Sequence, residues 1–262
     1  MRHERINLIG IPIDNISTEE LANEILKLDE KRGPKQIIFL SIWDLLHAKI
    51  SKEFFECIQN AALVLPVSKS LVSGAKFLKF NPPVRHNPCT TIVNIMYALD
   101  QHPTFSSEGN NSLSRTRGKT LYLLGGKSDI LPLSEKNIRY TFSNLRIVGK
   151  FPSYRNKNLE NDIIEAIYKS EPSLVLISSG INGKACWAFR HKNRFKKSIF
   201  IWHKDIISIF ANRKKFIDDK AFKQGLEFWS ALTKNPLRIF LLIPYFWYIS
   251  MLVFYRLFKK KA

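Results

Sequence analysis

Cysteine is scarce in this chain. Cys57, Cys89 and Cys186 are the only three in 262 residues. They are far apart and odd in number, and they form no Cys-x-x-Cys or Cys/His ligand spacing. The pattern argues against a secreted disulfide framework and a zinc site, and the three read as small core or loop residues. Residues 1–14 carry charges and lack the apolar run and small-residue cleavage site of a signal peptide, so the globular part is expected in the cytoplasm. Acidic residues are also few toward the end. From Lys184 onward there are 18 Lys and Arg against 4 Asp and Glu, which accounts for most of the net charge of +19. Such a skew calls for an anionic partner or a solvated basic face. No RRM, KH or helix-turn-helix signature accompanies it, so nucleic acid is not the expected partner.

What is present is globular: 45% hydrophobic and 24% charged residues, enough for one main domain and an appendage. Short apolar runs at residues 6–11, 36–40, 62–65, 120–124, 145–148, 173–177 and 198–202 read as strands. Between them, residues 17–28, 43–58, 70–80, 91–100, 134–142, 159–170 and 185–195 have helical spacing. Ser17 and Glu20 have the spacing of a capping box. Continuous apolar strands between amphipathic helices predict an α/β, Rossmann-like, mostly parallel sheet with helices on both faces. The expected division is a core over 1–203 and a helical appendage over 204–262. Residues 102–118, rich in Ser, Asn, Gly and Arg, read as a flexible insert. Ligands of such sheets bind beyond the carboxyl ends of the strands. Two strands end in small residues, Gly125-Gly126 and Ser178-Ser179-Gly180. These let a phosphate or sugar approach the backbone, or they serve tight turns.

The appendage carries residues 239–255, IFLLIPYFWYISMLVFY, without a charge. Arg238 stands on one side; Arg256, Lys259, Lys260 and Lys261 stand on the other. Seventeen residues fall short of the roughly 20 that span a bilayer, and Pro244 is expected to kink or break a helix there. An interfacial, membrane-associating helix with lysines at anionic head groups is the favoured reading. A spanning helix and a core helix of a larger assembly are the alternatives.

The order of these pieces resembles the WecG/TagA/CpsF family of glycosyltransferases. Gly10-Ile11-Pro12-Ile13-Asp14-Asn15 with Thr18-Glu19-Glu20 looks like the family's opening. Ala61-Ala62-Leu63-Val64-Leu65-Pro66 resembles its next strand end, and Pro83-Val84-Arg85 the element after it. Leu123-Leu124-Gly125-Gly126-Lys127, Ile147-Val148-Gly149 and Tyr154 fit its later strands. Gly225-Leu226-Glu227-Phe228, Pro236 and Arg238 are similar to its appendage. The resemblance implies an inverting, metal-independent and cofactor-free transfer of an N-acetylated aminosugar. The donor would be a UDP-sugar and the acceptor a polyprenyl-diphosphate-linked glycan, in cell-surface polysaccharide synthesis. It places the chain on the cytoplasmic face of the membrane, peripheral or monotopic, and is compatible with a homo-oligomer.

The resemblance thins where it matters chemically. The family's candidate base, an Asp followed by Gly, falls on Val67-Ser68, and its strand-end Asn falls on Ser41. Its Gln-Glu pair falls on Lys184-Ala185, its Phe-Asp on Ile207-Ser208, and its Arg-Ala-Pro on Phe216-Ile217-Asp218. Valine accepts no proton and serine is a poor base, so Asp14 and Ser68 are the remaining catalytic candidates; a turn-forming Asp14 is the competing reading. Ser41, Arg85, Gly125, Gly126, Gly180, Lys184 and Arg238 are the expected substrate contacts, with Arg85 suited to a donor diphosphate or to a surface salt bridge. Trp187 faces either a base or sugar or the core. Two functions stay open: an active transferase, or a family-derived binding or scaffolding protein at the membrane that has lost turnover.

Overall fold

The computed structural model describes residues 3–102, 104–105, 116–154, 156, 158–215, 219, 222 and 242–258. Arg238, Phe216-Ile217-Asp218, the Gly225–Phe228 and Pro236 matches, residues 239–241, Lys259 to Lys261 and most of the insert lie outside the described residues.

The chain runs β1 (Glu4–Leu8), β2 (Ile11–Asn15), α1 (Thr18–Glu30), β3 (Lys35–Leu40), α2 (Ile42–Ile50), α3 (Lys52–Gln59), β4 (Leu63–Pro66), α4 (Lys69–Phe77) and α5 (Pro88–Gln101). Two short strands follow, β5 (Thr104–Phe105) and β6 (Thr116–Arg117), paired antiparallel across the insert. Then come β7 (Thr120–Leu124), α6 (Leu131–Thr141), β8 (Arg146–Phe151), α7 (Asn158–Ser170), β9 (Leu174–Ile177), α8 (Cys186–Arg190), β10 (Ile199–Trp202), α9 (Ile206–Phe210) and α10 (Leu242–Phe258). Six strands make one parallel sheet flanked by helices, in the order β4-β3-β10-β9-β7-β8. The expected α/β class and parallel sheet are therefore present. Every residue of β4 and β9 is buried, as a strand covered on both faces requires. All three cysteines are free and buried.

Contacts divide the chain into two compact units that do not follow chain order. One comprises Met1–Ser17, Ile38–Thr90 and Ile217–Ala262; the other comprises Thr18–Ile37 and Thr91–Phe216.

In the first unit, residues 6–11 are not one strand. They straddle the turn of the β1–β2 hairpin, where Ile9 and Gly10 have φ of +52° and +79°. Two positive φ values match the right-handed twist of a tight hairpin. They are costly for a β-branched residue, and Lys49 and Gln59 hold the turn by bonding the Ile9 and Gly10 carbonyls. The expected helix over 43–58 is two helices. Ser51 ends the first, and its side chain accepts the Phe54 N–H that opens the second. Pro244 stands in the first turn of α10 as described and does not break it. One stripe of α10 packs on α4: buried Tyr248 donates to the Ser70 carbonyl at 3.1 Å, Leu252 is buried, and exposed Arg256 lies over the Phe77 ring at 4.5 Å.

In the second unit, Gly149 lies inside β8 rather than after it. Tyr122 pairs with Gly149 across a bulge at Val148, and its ring fills the space a side chain at 149 would need. The expected helix over 185–195 is α8 followed by one 3-10 turn, Lys192–Arg194. Buried Asp29 meets Lys119 at 2.6 Å, and buried Asp100 accepts the Asn144 and Leu145 N–H groups at 2.7 and 2.9 Å.

Two predictions follow from the first unit. A Cβ at Gly74 would lie 2.0 Å from the Tyr248 hydroxyl oxygen, so Gly74→Ala has to move the Tyr248 side chain. By forcing the Tyr248 side chain off its Ser70 hydrogen bond it should cost about 1–3 kcal/mol in urea unfolding. His86 is buried, its Nε2–H donates to the Ile16 carbonyl at 3.1 Å, and burial holds its pKa below the usual value. As pH falls through about 6.5 the unfolded chain gains a proton that the folded chain resists, so stability drops on acidification. His86→Gln should flatten that drop, read as urea midpoints at a series of pH values from 7.5 to 5.5.

Candidate functional site

In the first unit four of the expected residues meet. Ser41 follows the carboxyl end of β3, and Val67-Ser68 follow that of β4. The Val67 N–H donates to the Leu40 carbonyl at 2.8 Å, and the Ser68 hydroxyl accepts the Ile42 N–H at 3.1 Å. Arg85 joins them by donating Nε–H to the Val67 carbonyl at 2.9 Å. Its other end donates to the Phe222 carbonyl at 3.1 Å, and its guanidinium lies over the Phe222 ring at 4.1 Å. Nearby, Asp219 accepts from Asn87 at 2.8 Å and Thr90 at 2.7 Å. These contacts of Arg85 run to the backbone on either side and to an aromatic ring. Arg85 clamps residue 222 onto the loop after β4.

The sequence reading missed a carboxylate in this cluster. Asp44, in the first turn of α2, accepts the Ser41 N–H at 2.8 Å and the Ser41 hydroxyl at 2.5 Å on one oxygen, Oδ2. In return its own N–H reaches the Ser41 hydroxyl oxygen at 3.3 Å, completing a capping box. Burial raises the Asp44 pKa above the usual carboxylate range, while the Ser41 hydrogen bonds act the other way. The visible signal was the Ser-x-x-Asp spacing directly after a strand.

Asp14 is elsewhere and otherwise engaged. It sits in β2 with no solvent exposure, not in a turn. One carboxylate oxygen accepts Arg5 Nε at 2.7 Å and faces His3 Nε2 at 2.9 Å. The other accepts an Arg5 terminal nitrogen at 2.8 Å and the Val64 N–H at 2.7 Å. A carboxylate has about four acceptor sites, and four partners leave none for an acceptor hydroxyl. Its role is structural.

In the second unit Gly125 and Gly126 are packing positions, while Gly180 stands exposed beside Ser153. The Gly125 and Gly126 N–H groups donate to the Phe151 and Ser179 carbonyls, each at 2.8 Å. A Cβ at Gly125 would strike the Ser178 and Ser179 carbonyls, and one at Gly126 would strike Ile207. Both glycines are buried, so these N–H groups are not presented to a phosphate. Ser178 and Ser179 in turn bond the Lys204 carbonyl. Lys184 is exposed, with φ of +48°, and Trp187 is fully buried with its N–H shared by Tyr154 and Glu160. Trp187 is therefore core rather than a sugar platform. His203, directly after β10, was not singled out from the sequence; burial lowers its pKa, opposed by the Asp205 carboxylate. Among the described residues no group of three or more His, Cys, Asp or Glu side chains gathers as a metal site would need.

The model of the Glycosyl transferase WecG/TagA/CpsF family matches residues 6–262. The chain belongs to this family. A search of curated proteins returned no match. The family is one of glycosyltransferases of cell-surface glycan synthesis, so the loops after the sheet strands are where this chain's substrates are to be sought. The family assignment also gives the Arg85 clamp a test. Arg85→Ala removes one backbone contact on each side and a cation–π contact, worth about 1–2 kcal/mol together. It should lower the urea midpoint and expose the chain near residue 222 to trypsin, with no donor present.

Proposed function

We propose that this chain transfers an N-acetylated aminosugar from a UDP-sugar to a polyprenyl-diphosphate-linked acceptor at the cytoplasmic face of a membrane. The observation that carries the reading is the family match over nearly the whole chain, 6–262, which includes the appendage. In an inverting transfer the acceptor hydroxyl attacks the anomeric carbon as UDP departs from the opposite face. The protein must then hold the donor diphosphate, orient the acceptor and take a proton. Arg85, released from residue 222, and exposed Lys184 are the cations that suit diphosphates. Ser41 and Ser68 are the hydroxyls that suit a sugar.

The membrane part rests on α10. No described helix is long and apolar enough to cross a bilayer. Yet Phe246, Trp247, Ile249, Val253, Phe254, Leu257 and Phe258 are exposed along α10. An apolar aromatic face with lysines beyond it suits an interfacial helix, each cation adding about 1 kcal/mol at an anionic surface. The second reading, a binding protein without turnover, is favoured by one feature: the family's proton-accepting position is Val67, and Asp14 is saturated.

The test is the purified full chain with UDP-N-acetylated aminosugars and a polyprenyl-diphosphate-linked acceptor. Release of UDP with a new glycosidic product is expected. UDP-sugar binding without product would decide for the second reading. Sedimentation with phosphatidylglycerol vesicles, weakened by Phe254→Ser with Phe258→Ser, is expected alongside it.

A further inference from the structure

We propose that Asp44, acting through the Ser41 hydroxyl, positions and drains the proton that the transfer reaction removes from its acceptor. This rests on the transferase reading above and adds to it the group that would replace an acidic residue at Val67.

The argument starts from the two distances on Oδ2. A capping box needs the N-cap hydroxyl to accept the N–H three residues on and the side chain there to accept the N-cap N–H. Here the first of these is long, 3.3 Å, and the second is ordinary, 2.8 Å. The shortest contact is a third one the cap does not require: Ser41 O–H to Asp44 Oδ2 at 2.5 Å, within the short range of a hydroxyl on an ionised carboxylate. The serine hydroxyl is therefore polarised by a carboxylate whose basicity partial burial increases. Its oxygen keeps a lone pair beyond the long contact from the Asp44 N–H.

The place is also suitable. Ser41 follows β3, Val67 and Ser68 follow β4, and Ile42 N–H to Ser68 ties the two loops together. Both residues stand outside the carboxyl ends of strands of a parallel sheet, where ligands of this architecture bind. Asp14 cannot serve, and a serine alone is too weak a base.

The step balances. The acceptor oxygen forms its bond to the anomeric carbon while the bond from that carbon to UDP breaks, its electron pair leaving on UDP. The acceptor's proton passes to Ser41 Oγ as the Ser41 proton passes to Asp44 Oδ2. Asp44 becomes neutral and later returns the proton to water. Asp44 touches no substrate and is a positioning residue; Ser41 is the group that meets the acceptor.

The experiment measures kcat and KM for Asp44→Asn, Asp44→Glu, Ser41→Ala and Ser41→Thr in the full chain, with UDP-sugar and lipid-linked acceptor. Asparagine can still accept the Ser41 N–H, so a purely structural Asp44 would tolerate it. The expected result is a fall in kcat of about 10²-fold or more for Asp44→Asn and Ser41→Ala, with KM changed less than about threefold. The double variant should fall no further than either single, and Asp44→Glu and Ser41→Thr should keep most of kcat. If Asp44→Asn fails to fold, Ser41→Ala against Ser41→Thr and Asp44→Glu decides alone. Wild-type kcat in Asp44→Asn, or in Ser41→Ala, overturns the relay and leaves the transferase reading standing. A wild-type chain without turnover overturns both.

Discussion

A carboxylate with no access to water has to be met by donors on every side, and in the first unit Asp14 is. Arg5 supplies two N–H groups in the planar fork that matches a carboxylate, Val64 supplies a backbone N–H, and His3 closes the remaining side. Arg5 also reaches the carbonyls of Ala61 and Ala62. One buried charge therefore fixes the β1–β2 hairpin against the entry to β4. Removing one partner of such a group typically costs about 3–5 kcal/mol, because the rest is left charged and dry. The open end of the hairpin and the start of β4 share this anchor, while Lys49 and Gln59 hold the strained Ile9 turn at the other end. The cost is chemical: an acid that holds the fold so fully cannot also take a proton from a substrate.

The strand-end loops of the second unit show a related economy. Glycines after strands are compatible with ligand approach and with tight packing, and only neighbours distinguish the two. Here the neighbours are carbonyls of Ser178 and Ser179 and the side chain of Ile207, so the glycines let three loops interlock. The Gly125 and Gly126 N–H groups are spent on this interlock, which leaves exposed Gly180 and side chains such as Lys184 on this side.

The sheet was legible because each buried parallel strand is a short continuous apolar run, and β4, β9 and β10 were read within about a residue at each end. Local errors have local causes. The hairpin hid inside an apolar run because its turn uses Ile9, a residue that sequence rules keep out of positive φ. The 43–58 helix hid a break because Ser51 caps without interrupting the apolar spacing. Gly149 read as a strand end because the Tyr122 ring that covers it lies on another strand. The site was less legible for one reason throughout: the roles of Asp14, Arg85, Gly125 and Trp187 are set by partners distant in sequence. Asp44 was missed although its partner is three residues away, because Ser-x-x-Asp reads first as a helix start and only the 2.5 Å contact marks it as more.

The final helix follows the same logic of partners. A single apolar stripe suffices to dock a helix on a neighbour, and α10 has one: Tyr248 and Leu252 are one turn apart and meet α4, where Gly74 makes room for the Tyr248 ring. Its other side should then be polar if water were its only surroundings. Instead Phe246, Trp247, Phe254, Leu257 and Phe258 are exposed there, with Phe254 stacked on Phe258 at 4.3 Å. An unburied row of aromatics costs solubility and adds nothing to the α4 contact among the described residues, which is the character of an interaction surface. The residues that flank it are cationic on both sides, Arg238 before and Arg256, Lys259, Lys260 and Lys261 after. Apolar matter bordered by negative charge is what such a row fits. A bilayer surface would supply both, and that is the physical link between the proposed membrane-side role and the two-faced packing of α10.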